Sequence, residues 1–373
     1  MSRRIVFTGG LSGGHTFPLI AVARALKDLS KGESDIEFLF IGSRGVFEEA
    51  AMQQEGIPMK YIWIAKWRRY FSFLNFLDIF KFPIACLQAL WHLFLFMPDV
   101  VFAKGGAVSV PVVLAAWVFR IPVMLHDSDA VAGRANRMTA RFAKRIAIAY
   151  EYARQFFPTD KVVVTGNPVR GEILEGSPDR ARTVHALRSD LPVLLVVGGS
   201  LGARTLNDAL SRILPELLAK HIQVIHITGA KNLDRAVEAA GKQGIKAGYD
   251  GYYAIPFLQG RDFADCLAVA DLVLSRAGAG SIAELAALKK PTILVPLATA
   301  ANDEQRMNAY EVAENGGAIV IEEQNLGEHL LFEKILELLT SQEVRQSMSE
   351  KIHMFYRGDA AQVIARGIIT LLR

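Results

Sequence analysis

Cysteine is almost missing: among 373 residues the chain has only Cys86 and Cys266, far apart and without C-x-x-C spacing. That argues against a disulfide framework and a cysteine-rich zinc site, and fits a reducing compartment. Long apolar runs are scarce. The uncharged stretch Phe82–Pro98 is interrupted by Pro83, Gln88 and His92 and is shorter than the ~20 residues of a spanning helix. Charge of one sign is lacking too: the formal net charge is +4, too weak a footprint for a nucleic-acid partner. Met1–Gly10 runs straight into a strand and a glycine turn with no long apolar stretch, so no secretory leader is expected. Low-complexity segments are absent. No G-x-G-x-x-G or G-x-x-x-x-G-K-[ST] occurs, which disfavours a nicotinamide dehydrogenase and a P-loop nucleotidase.

What is present is alternation. Short β-branched or apolar runs (Ile5–Thr8, Glu37–Ile41, Val100–Ala103, Val123–Leu125, Val162–Thr165) are followed by a second set: Val193–Val197, Val224–Thr228, Leu272–Leu274 and Thr292–Val295. Helical patterns separate them, including Pro18–Leu29, Arg204–Leu218, Ser281–Leu288 and Glu304–Glu314. Such alternation predicts α/β architecture with parallel sheets covered on both faces. The pattern restarts: Ile-Val-Phe-Thr-Gly-Gly10 is echoed by Leu-Val-Val-Gly-Gly199. Two doubly wound domains are expected, with a hinge around Gly166–Arg170. The first spans 1–168, the second 169–354, and the terminal segment 355–373 forms a helix that packs back on the first.

Three loops could meet an anion. Gly9-Gly-Leu-Ser-Gly-Gly-His15 and Gly198-Gly-Ser-Leu-Gly-Ala203 each follow a strand, and glycine lets backbone approach a phosphate at the free N–H groups of a helix N-terminus. The third is Ser275-Arg-Ala-Gly-Ala-Gly-Ser-Ile-Ala-Glu284. Ser281 and Glu284 have capping-box spacing, and Arg276 could be a surface charge. Alternatively, the Glu284 carboxylate accepts both hydroxyls of a ribose.

Together these motifs, with Lys104-Gly-Gly106, Ser109, His126–Asn136, Gly166-Asn-Pro-Val-Arg170 and Gln305-x-x-Asn308-Ala, resemble the MurG family of N-acetylglucosaminyltransferases, in glycosyltransferase family 28. The resemblance runs nearly end to end. It implies a GT-B fold, two Rossmann-like domains facing across a cleft, and UDP-N-acetylglucosamine as donor. It implies that Leu258 offers backbone contacts to uracil and that Ala279, Gly280, Ser281, Ile282, Ala283 and Glu284 line the nucleotide. Arg170 and Ser200 would face the diphosphate, and Gln305 the sugar hydroxyls. From the first domain, Ser12, Gly13, Gly14 and Asp129 would approach the sugar. The acceptor implied is lipid I, an undecaprenyl-diphosphate-linked muramic sugar, whose 4-hydroxyl attacks with inversion to give lipid II for peptidoglycan synthesis. No DxD motif appears in the candidate nucleotide loops, so neither metal nor cofactor is expected. His15 is the candidate general base, an unperturbed histidine titrating near neutrality; alternatively it braces the glycine loop. Lys104 meets an acceptor phosphate or is a solvated strand-end charge.

Three departures gather on the acceptor side. The first glycine loop has one extra residue. His126-Asp-Ser-Asp129 stands where His-Glu-Gln-Asn is usual, so an ionised Asp129 offers no amide donor. Ala107 and Val110 replace the common Tyr and Gly.

Trp63–Met97 is the most unusual segment. In Lys66–Phe80 basic residues interleave with Trp67, Tyr70, Phe71 and Phe73, a composition suited to an anionic membrane surface. Asn75, Asp78, Lys81, Gln88 and His92 trace a narrow polar stripe on a helix, and the half near Leu87–Leu95 is expected to be core. The expectation is a peripheral enzyme at the cytoplasmic face of the membrane. Rivals are a glycolipid-forming transferase of the same fold, a UDP-sugar epimerase and a non-catalytic nucleotide-sugar binder.

Overall fold

Parallel pairing is the rule in both sheets. The first contains β1 (Arg3–Thr8), β2 (Ile36–Gly42), β3 (Met59–Tyr61), β4 (Val100–Ala103), β5 (Val123–Asp127), β6 (Arg145–Ile148) and β7 (Val162–Val164), in the order β3-β2-β1-β4-β5-β6-β7. The second contains β8 (Val193–Val197), β9 (Gln223–Ile227), β10 (Tyr252–Ile255), β11 (Leu272–Ser275), β12 (Thr292–Leu294) and β13 (Ile319–Val320), in the order β10-β9-β8-β11-β12-β13. The computed structural model describes residues 2–10, 13–30, 35–63, 73–198, 203–249 and 251–372, with the side chains of all of these except 13, 46–48, 73–80 and 301. Each order reverses once, between β1 and β4 and between β8 and β11, and such switch points hold the ligands of open α/β sheets.

The central strands have no polar face. All residues of β4 and β8 are buried, as strands covered by helices on both sides must be. Four strands, β3, β6, β10 and β13, escape the sequence pattern; each has two to four residues and only partial apolar character. The chain divides into two compact units, one of residues 1–168 and 357–373, the other of 169–356. The terminal helix Ala360–Leu371 buries Ile364, Ala365 and Ile368 in the first unit's core with Leu19, Val22 and Leu26. The first helix starts at Gly13, not at Pro18, and carries Pro18 inside it. The missing N–H leaves the Gly14 carbonyl without a helical donor.

The helix Phe73–Phe96 overturns an expectation. Its inward face is Ala85, Ala89 and Leu93, each 1% exposed or less, whereas Leu87, Trp91, Phe94 and Leu95 are 58–66% exposed. Two residues of the polar stripe also face protein: the Trp63 N–H donates to Gln88 Oε1 at 2.8 Å, and His92 Nε2 lies 3.3 Å from the Tyr61 carbonyl. Small residues allow close approach to the helix Ser109–Val118, and Gln88 and His92 satisfy backbone beyond β3. Trp117, Val118 and Phe119 at the end of that second helix are exposed as well. Among the described residues no helix is long and apolar enough to cross a membrane.

In the second unit a buried polar network ties three elements together. His226 on β9 contacts Tyr252 Oη at 2.9 Å and Asn207 Oδ1 at 3.0 Å, while Asn207 Nδ2 donates to the Thr228 carbonyl. A neutral imidazole with its proton on Nε2 satisfies all of these. Burial pushes His226 down to about 3. The unfolded chain therefore binds a proton that the folded one refuses, and stability falls as pH drops from about 6.5 towards 3, by up to about 1.4 kcal/mol per pH unit for this histidine. Urea unfolding between pH 7 and 4 should show a shallower acid decline for His226→Gln than for the unsubstituted protein.

Candidate functional site

In the first unit two glycine turns meet at the β1/β4 switch point. Lys104 N–H donates to the Thr8 carbonyl at 2.8 Å, carrying the ladder past the strand ends. Gly105 and Gly106 then take φ of +90° and +85°, in the left-handed region that favours glycine. A Cβ on Gly106 would lie 2.7 Å from the Gly10 Cα. The His15 ring, two residues into the helix, covers Gly10, where an added Cβ would sit 3.1 Å from Nε2.

Charge is concentrated under this turn. Lys104 is 3% exposed, and its Nζ donates to Ser128 Oγ. Lys104 is therefore no solvated strand-end charge; burial lowers its pKa, opposed by Asp127 and Asp129. Asp127 accepts from Gly133 N–H and Asn136 Nδ2, both at 3.0 Å, and shapes the turn after β5. Burial, then repulsion from Asp129, raises its pKa. His126 is fully buried and held by the Gly166 carbonyl at 3.3 Å, which gives it a structural role. Burial, then the Lys104 cation, pushes His15 down to about 4, and hydrogen bonding with the Lys104 backbone opposes this without reversing it. His15 is thus neutral at physiological pH, the state a proton acceptor requires. Thr8 Oγ1, His126 Nδ1 and Asn136 Oδ1 are buried without a hydrogen-bond partner in the protein. Buried polar atoms without a protein partner are groups that a ligand or water completes.

In the second unit β11 runs into the helix Ala279–Ala287. Its N-cap is Gly278 with no side-chain cap, and the first turn of such a helix directs backbone N–H groups, here those of Gly280 and Ser281, towards an anion. Gly280 is exposed, and a Cβ there would meet nothing within 4 Å. Because the helix begins at Ala279, Ser281 lies inside its first turn and forms no capping box with Glu284. Ile282 and Ala283 are buried in the core rather than turned outward. Glu284 instead receives Arg170 Nε and Nη2 on Oε1, at 3.0 and 2.8 Å. The Arg170 guanidinium also lies 5.9 Å from the Phe263 ring centre. Burial raises the Glu284 pKa, and Arg170 opposes the shift.

Arg276 is not a surface charge. It is 8% exposed, donates to the Val295 and Pro296 carbonyls and pairs with Glu323. Glu323 Oε2 in turn accepts from Ala298 N–H. These bonds fix the loop after β12, which enters the helix Glu304–Glu314 through Asn302 and Asp303 at φ of 55° and 59°. Gln305 then accepts from Leu297 N–H at 3.1 Å through Oε1, which leaves its amide N–H groups as donors. Asn308 ties the same helix to the Ala277 carbonyl. Leu258 sits half-buried in the loop between β10 and the helix Gly260–Val269. Asp129 is half-exposed beside Lys104. Gly13 and Gly14 open the first helix. Ser12, Ser200 and residues 66–72 of the basic-aromatic segment lie outside the described residues, and 73–80 outside the described side chains. Sequence reading missed Asp127, Ser128 and Glu323 as partners of buried charges, because their neighbours are far away in the chain.

Arg170→Ala strands a buried carboxylate and should destabilise the second unit by about 3 kcal/mol in denaturant unfolding. Adding Glu284→Gln to that variant should recover much of the loss.

The glycosyltransferase family 28 N-terminal domain matches residues 5–148, and the family 28 C-terminal domain matches 193–364. A Bacillus cereus protein named UDP-N-acetylglucosamine--N-acetylmuramyl-(pentapeptide) pyrophosphoryl-undecaprenol N-acetylglucosamine transferase 2 is 36% identical over 368 residues, covering 98% of this chain and 99% of its own. A Clostridium perfringens transferase of the same name, without the numeral, is 37% identical over 341 residues and covers 91% of each chain. Among solved structures, MurG of Acinetobacter baumannii matches with a TM-score of 0.76 over 99% of both chains at 24% identity, a likeness of GT-B fold. Both halves of the sequence and nearly its whole length therefore agree: the chain belongs to glycosyltransferase family 28.

Proposed function

We propose that this chain transfers N-acetylglucosamine, with inversion, from UDP-N-acetylglucosamine to the muramic 4-hydroxyl of an undecaprenyl-diphosphate-linked acceptor. The observation that carries the reading is the 36% identity to a transferase of that printed activity across 98% of this chain and 99% of the relative. An alignment of that extent includes both glycine turns and the Arg276–Glu284 loop.

The donor binds the second domain. Both Arg170 bonds end on Glu284 Oε1, so Oε2 is the oxygen offered to the ribose hydroxyls. The N-terminus of the helix Ala279–Ala287 takes the nucleotide's anionic portion, with Arg170 beside it and Ser200 on the diphosphate. Departure of UDP places charge on the β-phosphate, where oriented N–H dipoles and a guanidinium stabilise it. Gln305, its Oε1 tied to Leu297, presents N–H donors to the sugar. Leu258 offers its backbone to the uracil.

The first domain takes the acceptor. His15 removes the proton from the attacking hydroxyl, with Ser12, Gly13, Gly14 and Asp129 near the transferred sugar. A base held at about 4 in the free enzyme is strengthened when an anionic acceptor offsets the Lys104 charge. The exposed apolar face of Leu87, Trp91 and Phe94, with the basic segment Lys66–Phe80 preceding it, forms the contact with an anionic membrane surface at the cytoplasmic side.

UDP release should depend on adding a lipid I analogue; release that ignores the acceptor sinks the activity. His15→Ala should lower kcat by at least about 100-fold, and full turnover in that variant excludes His15 as the base. Since the neutral imidazole is the active form, kcat/KM should stay level from pH 7 down to about 5 and fall only as pH passes about 4. Binding of Trp91→Gln with Phe94→Gln to anionic vesicles should be weaker than that of the unsubstituted protein in a sedimentation assay; equal binding would place the membrane contact elsewhere.

A further inference from the structure

Beside the first glycine turn, on its β2 side, lies a cavity of about 690 Å³ that the transfer chemistry does not use. It is lined by Ser43, Arg44, Lys60, Tyr61, Trp63 and His92, with Gln88 beside them. All of these belong to the first unit, and the volume falls within the range of small-molecule sites. Ser43 follows the end of β2 and is 5% exposed, yet its Oγ is buried with no hydrogen-bond partner in the protein. It does not cap the following helix, whose N-cap is Gly45 without a side-chain bond. An unsatisfied hydroxyl in a cavity wall is a group poised for a ligand.

The cavity's charge is positive. The Arg44 guanidinium lies 5.3 Å from the Tyr61 ring centre, and Lys60 is the exposed residue of an otherwise half-buried β3. The described carboxylate nearby is Glu49, which is engaged by the Tyr61 hydroxyl. His92 and Gln88 are spent on the backbone of Tyr61 and Trp63. What remains is two cations, a free hydroxyl and an exposed indole, a set that suits a carboxylate on a peptidic chain.

Position decides which carboxylate. Phe7 pairs with Phe40, so the residues following β1 and β2, Gly10 and Ser43, end side by side. Adjacent strands are about 5 Å apart, which puts the cavity within about 10 Å of the glycine turn. An extended five-residue peptide reaches about 17 Å. We infer that this cavity is a subsite for the carboxylate-bearing peptide stem of the acceptor, engaged through Ser43, Arg44 and Lys60. The inference rests on the proposed activity and adds to it the part of the acceptor that is read away from the reacting hydroxyl.

The test compares two lipid I analogues, one with the pentapeptide and one cut back to the muramic lactyl group, in steady-state assays of UDP release. The unsubstituted enzyme should show a KM for the stem-bearing analogue about tenfold below that for the truncated one. Lys60→Glu should reduce that ratio to near one. Ser43→Ala, which removes only an unpartnered hydroxyl and so spares the fold, should reduce it about threefold. A ratio of one in the unsubstituted enzyme, or a ratio unchanged in both variants, overturns the subsite. Variants that lose binding to phosphatidylglycerol vesicles while keeping the ratio also overturn it, in favour of a lipid headgroup. Absence of transfer to either analogue by the unsubstituted enzyme instead overturns the activity on which the subsite rests.

Discussion

The first domain is organised around a backbone contact that tolerates no side chain. Gly10 and Gly106 approach so closely that one added carbon would lie 2.7 Å from the opposing Cα. That approach brings the ends of β1 and β4 together, seats the His15 ring over the turn and encloses Lys104 beneath it. Burying a lysine is costly unless it is bonded and compensated, and Ser128, Asp127 and Asp129 are the compensation. The altered His126-Asp-Ser-Asp129 segment is thereby partly explained. Ser128 is the hydroxyl that receives Lys104, and Asp127 holds the turn that positions it.

The second domain solves a related problem with guanidinium groups. Arg170 and Arg276 each meet a carboxylate from a distant stretch, Glu284 and Glu323. One pair sits beside the N-terminus of the helix Ala279–Ala287; the other sets the loop from which Gln305 rises. Both pairs are largely shielded from water, so their geometry is held firmly while each remaining oxygen or N–H keeps its capacity for a ligand.

Much of this was legible from periodicity. Central strands such as Val193–Val197 announce themselves because burial on both faces demands an unbroken apolar run. Edge strands did not: Met59–Tyr61 and Ile319–Val320 carry too few residues for a pattern. The helix Phe73–Phe96 shows the sharper limit. Its periodicity was plain, but a period does not say which stripe turns inward. Here alanines and two hydrogen-bonding polar residues face the protein, and tryptophan, leucine and phenylalanine face out. Glu284 shows a similar limit, since capping-box spacing ignores where the helix begins. The site motifs were readable as short strings, whereas the partners of their buried charges were not, because pairs such as Arg170 and Glu284 are 114 residues apart.

The return of residues 357–373 to the first unit bears on how the protein is made. A chain emerging from the ribosome usually completes its N-terminal domain first. Here the core around Leu19 and Leu26 lacks Ile364 and Ile368 until residues 357–373 emerge. The unit that is synthesised second therefore has all its residues first, and the unit that begins the chain must wait, with apolar surface uncovered, until residues 357–373 have been made.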